Sequence, residues 1–230
     1  MLEMKKLGMI GGTSWHSTID YYRYINQITN DRLGTKVNPE LLLHSINIEM
    51  MHSGDWDIIT LKFKEVARSL EKRGAEGIIL CANSTHLMYT ELSSEVNIPI
   101  IHIADAIADE AKRLKLSKLG LIGTKPTMSQ GFISDRLKNI HDIEVICPSN
   151  NNIDKIHNIV VNELVQGVFS VDARHSILKE MDLLYQQGAE AIILGCTEFP
   201  ILLKDIKYQI PLLDTTWLHA KMSVDFILSI

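Results

Sequence analysis

The sequence lacks long apolar runs, basic tracts and a cysteine framework, and each absence argues against a class of protein. No apolar run reaches the roughly 18 residues that a membrane-spanning helix needs. The formal net charge is −5 and no stretch is rich in lysine or arginine, which argues against a nucleic-acid partner. The three cysteines favour free thiols in a reducing compartment. Since the first residues lead into a strand and not a secretory signal, we expect a cytoplasmic protein.

Motifs for nucleotides and metals are also missing. Gly11 and Gly12 follow the apolar residues 7–10, but no third glycine completes a dinucleotide-binding fingerprint. No spacing of histidine and cysteine indicates a structural zinc site. The sequence therefore predicts neither a metal nor a small-molecule cofactor.

One motif is present twice. Residues 74–84 read Gly-Ala-Glu-Gly-Ile-Ile-Leu-Cys-Ala-Asn-Ser, and residues 188–198 read Gly-Ala-Glu-Ala-Ile-Ile-Leu-Gly-Cys-Thr-Glu. Aligned without gaps, the two copies place Ala82 opposite Cys196. In each copy a short apolar run bounded by glycine is typical of a strand that is buried on both faces.

A second repeat extends the internal similarity. Residues 7–13 resemble residues 119–124, and the two repeats have offsets of 114 and 112 residues. We therefore predict two related halves, one formed by residues 1–103 and 215–230 and the other by residues 104–214. A ligand site is expected between the two halves.

Strand-length apolar runs alternate with amphipathic segments along the chain, which predicts an α/β fold with parallel sheets. Residues 57–73 are predicted to form a helix with an apolar stripe of Ile58, Leu61, Val66, Ala67 and Leu70. A further helix is expected to follow residues 123–127 and to continue through Leu137. Residues 150–152 are predicted to be a polar loop.

Cys196 is the leading candidate for chemistry. It follows the predicted strand of residues 191–194, and open α/β sheets bind ligands at the carboxyl ends of their strands. Its place before a helix start predicts a lowered thiol pKa, and Thr197 could bind a carboxylate there. The alternative is a small buried hydrophobe. Cys81 and Cys147 lack this setting, and we interpret both as structural.

Other polar residues each have two open interpretations. Asn83 and Ser84 could cap the next helix or bind a small carboxylate. Thr13 or Ser14 could cap the helix after the glycine turn, where a helix N-terminus also favours an anion.

Two titratable side chains near these loops are equally ambiguous. His86 is either a general acid or base, or a partner of backbone and core groups. Glu198 is either a base for Cys196 or a carboxylate stabilised by the helix dipole.

Four motifs in this order resemble the aspartate/glutamate racemase family over nearly the whole chain. They are Gly11-Gly-Thr-Ser-Trp15, Cys81-Ala-Asn-Ser-Thr-His86, Gly123-Thr-Lys-Pro-Thr127 and Gly195-Cys-Thr-Glu198. The resemblance implies two similar α/β domains related by a pseudo-twofold duplication, with the active site in the cleft between them. It also implies PLP-independent racemisation of a small acidic amino acid, and a homodimer.

The resemblance implies a pair of acid/base groups, one from each half, usually two cysteines. Cys196 matches one of them, and the first catalytic position carries Ala82, which has no proton to exchange. Asn83, Ser84, Thr127 and Thr197 match family positions that bind the substrate carboxylates. Thr13 and Ser14 complete the expected substrate-binding set, although related sequences often have methionine in place of Thr13.

Three interpretations of Ala82 are open. Cys81, Ser84, Thr85 or a water could replace the missing group and permit racemisation. A single thiol could protonate one face only, which suits a decarboxylase or lyase. The protein could also bind an amino acid or dicarboxylate without turnover. The leading hypothesis is a racemase-like isomerase with Cys196 as its acid or base.

Overall fold

Short apolar segments form the strands of two parallel sheets. The computed structural model describes residues 3–52 and 54–229. The two inner strands of each sheet are buried on both faces, because helices cover parallel sheets on each side. The strands are β1 Leu7–Gly11, β2 Leu41–Ser45, β3 Gly77–Leu80, β4 Ile100–Ile101, β5 Lys118–Gly123, β6 Glu144–Ile146, β7 Ala191–Gly195 and β8 Leu212–Asp214.

Helices follow nearly every strand. The α-helices are α1 Trp15–Leu33, α2 Glu49–His52, α3 Trp56–Lys72, α4 Tyr89–Ser93, α5 Ile103–Leu114, α6 Lys125–Ser129, α7 Ser134–His141, α8 Asn150–Asn162, α9 Val171–Gln186, α10 Phe199–Leu202 and α11 Thr215–Ile227. Short 3₁₀ helices cover Ser84–Met88 and Leu164–Gln166. In the described part of the chain, no helix combines the length and apolarity needed to cross a bilayer.

The chain divides into two units with the same sheet topology. The first unit comprises Met1–Ile103 with Thr216–Ile230, and the second comprises Ala104–Thr215. Over the described residues, the sheet of the first unit has the order β2-β1-β3-β4 and that of the second has the order β6-β5-β7-β8. All the pairings in both sheets are parallel. The predicted α/β fold with two similar halves is confirmed.

The buried face of α3 differs from the predicted stripe. Val66, Ala67 and Leu70 are buried as predicted, but Ile58 is 56% exposed and Leu61 is 66% exposed. Ile59 and Phe63 are buried in their place, in the core cluster of the first sheet. Helix α3 has apolar residues on more than one face, so the sequence alone does not show which face is buried. Packing against the first sheet decides it. Burial of Phe63 alone contributes about 2–3 kcal/mol.

Two predictions about the second unit are wrong. The helix expected to continue through Leu137 is broken between α6 and α7, where Gly131 has a φ of +76° that other residues rarely adopt. Residues 150–152 form the first turn of α8 and not a loop. Asn152 is held in this turn because its side-chain amide donates to Oε2 of Glu180 at 2.9 Å.

Candidate functional site

Cys196 lies in the turn between β7 and α10, with only 9% of its surface exposed. Its Sγ donates a hydrogen bond to Oε2 of Glu198 at 2.8 Å. The hydroxyl of Thr197 donates to the same oxygen at 2.9 Å. The three residues that follow β7 therefore form one hydrogen-bonded group around a carboxylate.

The expected lowering of the Cys196 pKa is wrong. Burial raises the pKa of the thiol well above its usual value, and the negative charge of Glu198 and the hydrogen bond to it raise it further. The backbone N–H groups of Glu198 and Thr197 act in the opposite direction without reversing the shift. The helix start that motivated the expectation belongs to a helix of only four residues, and burial together with the adjacent carboxylate outweighs the backbone donors.

Thr127 lies against the backbone at the ends of β5 and β7. A Cβ added to Gly195 would be 2.9 Å from Cγ2 of Thr127, and one added to Gly123 would be 3.0 Å from its Cβ. Both glycines are therefore needed for Thr127 to approach the strand ends. Its hydroxyl is within 3.0 Å of the Thr124 hydroxyl, and the residue is 2% exposed. Thr127 thus packs beside Gly195, the residue before Cys196.

In the first unit, the turn after β1 is held by side chains of α1. The N–H of Gly12 donates to the hydroxyl of Thr18 at 2.9 Å. Ser14 is the N-cap of α1, since its hydroxyl accepts from the N–H of Ser17 at 3.3 Å. Within the part of the chain that the structure describes, the buried hydroxyl oxygen of Thr13 has no hydrogen-bond partner. Of the two candidate caps, Ser14 is the one used.

The loop after β3 is fixed through its backbone. The carbonyl of Ala82 accepts from the hydroxyl of Thr85 at 2.7 Å and from Nδ1 of His86 at 3.0 Å. Asn83 precedes the 3₁₀ helix that starts at Ser84, and its side chain makes no capping hydrogen bond. The capping interpretation of Asn83 is therefore wrong.

His86 acts as a partner of the backbone. Nδ1 contacts the carbonyls of Ala82 and Asn83, and Nε2 accepts from the N–H of Ile103 at 3.2 Å. These contacts assign the proton to Nδ1 of a neutral ring. Because both ring nitrogens are engaged and the side chain is buried, the geometry favours the structural interpretation over the acid/base one.

The other two cysteines are in apolar or backbone surroundings. Cys81 belongs to the core cluster between the first sheet and helices α1 and α11, and burial raises its pKa far above the usual range. Cys147 donates from Sγ to the carbonyl of Met128 at 3.3 Å, and burial raises its pKa to about 11. These surroundings favour structural roles for both.

Each unit collects its candidate residues at the carboxyl ends of its inner strands. The second unit brings together Thr127, Cys196, Thr197 and Glu198, and the first brings together Thr13, Ser14, Asn83 and Ser84 at the ends of β1 and β3. That residues of both halves bind one substrate stays a prediction. Among residues 3–52 and 54–229, no three His, Cys, Asp or Glu side chains group to hold a metal ion.

The sequence reasoning missed several hydroxyls that support these loops. Besides Thr18, they include Ser17, whose hydroxyl donates to the carbonyl of Cys81 at 2.6 Å, and Thr215, whose hydroxyl donates to the carbonyl of Leu194 at 3.0 Å. The sequence indicated these contacts only through small hydroxyl residues at the starts of α1 and α11. Such residues are common at helix starts because they cap the helix, so they do not predict a contact with a loop.

The strand registers place Ala82 and Cys196 at matching positions of the two units. Ile10 lies opposite Leu80 in the first sheet, and Ile122 lies opposite Leu194 in the second. Two residues further along, the chain reaches Ala82 in one unit and Cys196 in the other. Hydrogen-bonded pairing therefore gives the same correspondence as the sequence repeat.

Comparison with known proteins agrees with this architecture. Residues 10–223 match the family model described as Asp/Glu/hydantoin racemase. The chain belongs to this family. It is 26% identical over 170 residues to the broad specificity amino-acid racemase RacX of Bacillus subtilis, covering 71% of this chain and 70% of that protein. It is 31% identical over 130 residues to a glutamate racemase of Limosilactobacillus reuteri, covering 56% of this chain and 46% of that protein.

Solved structures of the family superpose on this chain over nearly its full length. A candidate Asp/Glu racemase from Yersinia pestis is 37% identical with a TM-score of 0.92, covering 98% of this chain and 100% of that one. An aspartate racemase homologue from Pyrococcus horikoshii is 30% identical with a TM-score of 0.85, covering 99% and 100%. The two-unit fold is therefore that of the Asp/Glu racemases.

Proposed function

We propose that this chain is a PLP-independent racemase-like isomerase of a small acidic amino acid, with Cys196 as its acid or base. The observation that carries the proposal is a buried thiol in the turn at the carboxyl end of β7. The backbone N–H groups of Thr197 and Glu198 lower its pKa, although burial and the charge of Glu198 raise it overall. Membership of the racemase family supports the reaction type.

The reaction needs several groups at once, because an amino-acid α-proton is weakly acidic. The Cys196 thiolate removes this proton, and the C–H electron pair stays on Cα, delocalised toward the α-carboxylate. Donors that hold the carboxylates lower the cost of this charge. Thr13, Ser14, Asn83, Ser84, Thr127 and Thr197 are proposed for this role. Inversion requires a second donor, such as a water, that delivers a proton to the opposite face of Cα, while the Cys196 thiol releases its proton to solvent.

A second candidate function follows from Ala82. Alanine at the position that matches Cys196 offers no acid or base, so Cys196 would remove and return protons on a single face of the substrate. This favours exchange without inversion, or the protonation step of a decarboxylase or lyase. A binding protein without turnover is the remaining alternative.

Solvent deuterium incorporation separates these functions. The protein is incubated in D₂O with L- and D-aspartate and L- and D-glutamate, and the products are analysed by chiral chromatography and mass spectrometry. Label in the opposite enantiomer indicates racemisation, label without inversion indicates one-face chemistry, and no label indicates another substrate or a binding protein.

The variant Cys196→Ser tests the assignment of the thiol. We expect exchange to fall by about 100-fold or more, because general acid–base groups typically contribute this much. Cys147→Ser is the matched control and should retain exchange, since the Cys147 sulfur donates to the carbonyl of Met128, a hydrogen bond that a serine hydroxyl can also make. Unchanged exchange in Cys196→Ser would exclude Cys196 as the acid or base.

A further inference from the structure

Helices α8 and α9 line a cavity of about 380 Å³ in the second unit. All its lining residues lie between positions 155 and 180, so the cavity shares no residue with the candidate site at positions 123–127 and 195–198. Its volume is enough for a small organic molecule, since ligand pockets in proteins start at about 300 Å³.

The internal repeat shows that α8 is longer than the sheet requires. Each unit passes from its second strand to its third through two helices, α2 and α3 in the first unit and α8 and α9 in the second. Helix α2 has four residues and α8 has 13, yet both units have the same sheet order. The cavity therefore depends on a part of the chain that the common sheet does not need.

Three charged side chains line the cavity without neutralising one another. Lys155 is on α8, and Lys179 and Glu180 are on α9. Oε2 of Glu180 accepts from the side-chain amide of Asn152 at 2.9 Å. Within the part of the chain that the structure describes, neither lysine forms an ion pair, unlike Lys125 of the same unit. The cavity therefore presents two ammonium groups and one carboxylate to a ligand.

The other lining residues add hydrogen-bonding groups and an apolar surface. Asn158 and Ser176 are exposed and offer an amide and a hydroxyl. Ile156 is buried and Ile159 is half-buried, so both can contact the methylene groups of a ligand. A molecule that matches this lining carries two negative groups, one positive group and a short apolar chain.

We propose that this cavity binds an acidic amino acid, at a site separate from the one around Cys196. The two carboxylates of the ligand bind Lys155 and Lys179, and its ammonium group binds Glu180. Every charge then has a partner of opposite sign. The methylene groups of the ligand pack on the two isoleucines. The inference goes beyond the proposed function, because binding in this cavity needs neither proton transfer nor turnover.

Titration of the ¹⁵N-labelled full chain with L-glutamate tests the proposal by NMR. We expect saturable shifts at the backbone amides of Ile156, Ile159 and Ser176. The midpoint of the titration should rise about tenfold in Lys155→Gln and in Lys179→Gln, since each variant loses a charge-assisted hydrogen bond. Both lysines are exposed, so their substitution should preserve the fold, which the remaining amide signals verify.

Lys207→Gln is the matched control, because Lys207 is exposed but does not line the cavity. Its midpoint should equal that of the parent. Glutarate is the second control, since it has the two carboxylates of L-glutamate without the ammonium group. It should bind about tenfold more weakly. Equal binding of glutarate and L-glutamate would overturn the role of Glu180 and the assignment of an amino acid.

The proposal is also wrong if L-glutamate causes no saturable shift at the cavity, or if both lysine variants keep the midpoint of the parent. Shifts at the amides of Cys196, Thr197 and Glu198 report on the candidate catalytic site separately. Saturable shifts at the cavity without any at these three residues would count against the proposed function and leave the cavity site standing.

Discussion

The two units have the same sheet order but different chemistry after the third strand. In the first unit, β3 is followed by Cys81, Ala82 and Asn83, and the loop is fixed by backbone contacts of Thr85 and His86. In the second, β7 leads to Cys196, whose thiol contacts a carboxylate. The duplicated framework therefore fixes where a side chain emerges, while single residues decide what it can do.

Glycine positions show the same divergence. Gly12 follows β1 with a φ of +88°, whereas Thr124 follows β5 in an extended conformation with a φ of −69°. At the strands β3 and β7 the glycine is in the second unit instead. The first unit has Cys81 at the position where the second has Gly195, and a Cβ on Gly195 would be too close to Thr127. Each unit thus has a glycine where its own neighbouring atoms leave no room for a Cβ.

The largest expected effect comes from restoring the missing group. In Ala82→Cys, a thiol stands at the position that matches Cys196, and we expect inversion of an acidic amino acid to rise about 100-fold over the parent. Chiral chromatography after incubation in D₂O measures it. The same substitution combined with Cys196→Ser should show no inversion, because two groups are required. If Ala82→Cys gains nothing, the equivalence of the two positions is structural only.

A substitution at Gly12 tests the turn that the units do not share. A Cβ at Gly12 would be 2.1 Å from the carbonyl oxygen of Ile46, and the positive φ adds strain. We expect Gly12→Ala to lower the free energy of unfolding by about 2 kcal/mol or more. Gly34→Ala is the control, since Gly34 has a φ of +95° but an open surrounding, and should cost less. Equal losses in urea denaturation would contradict the steric explanation.

A smaller effect is expected for two partly buried aspartates, one in each unit, that differ in how many hydrogen bonds they accept. Asp105 accepts from Arg136 at 2.7 and 2.8 Å and from His141 at 2.8 Å, whereas Asp225 forms ion pairs with Arg32 at 2.6 Å and with Lys221 at 3.6 Å. We expect Asp105→Asn to cost about 2 kcal/mol and Asp225→Asn below about 1 kcal/mol. Denaturation of both variants beside the parent measures the difference, and a larger loss in Asp225→Asn would contradict this ranking.

The contribution of Asp105 should depend on pH. Burial raises the pKa of Asp105, but the hydrogen bonds and charges of Arg136 and His141 together lower it by more. The pKa is therefore below the usual 3.8. A carboxyl group with a lowered pKa stabilises the fold above its ordinary value and loses this contribution as the pH falls through the folded value. The stability gap between the parent and Asp105→Asn should therefore shrink below about pH 4.

Much of the fold was predictable from local sequence. The short apolar runs at residues 7–10 and 191–194 predicted β1 and β7, and the motif at residues 74–84 predicted β3, because buried parallel strands need continuous apolar side chains. The face of α3 was not predictable in full, since Ile58 and Ile59 are chemically equivalent. The start of α8 was not predictable either, because its first three residues are asparagines, which are more typical of loops.

The sequence by itself determined the duplication, the α/β class and the position of Cys196 after a strand. These depend on neighbouring residues and on strand periodicity, which a chain carries without its tertiary fold. Only the tertiary structure decided the raised pKa of Cys196 and the occupation of both His86 nitrogens. Burial and hydrogen bonding act over ångström distances between groups whose approach is fixed by packing, and sequence spacing does not specify those distances.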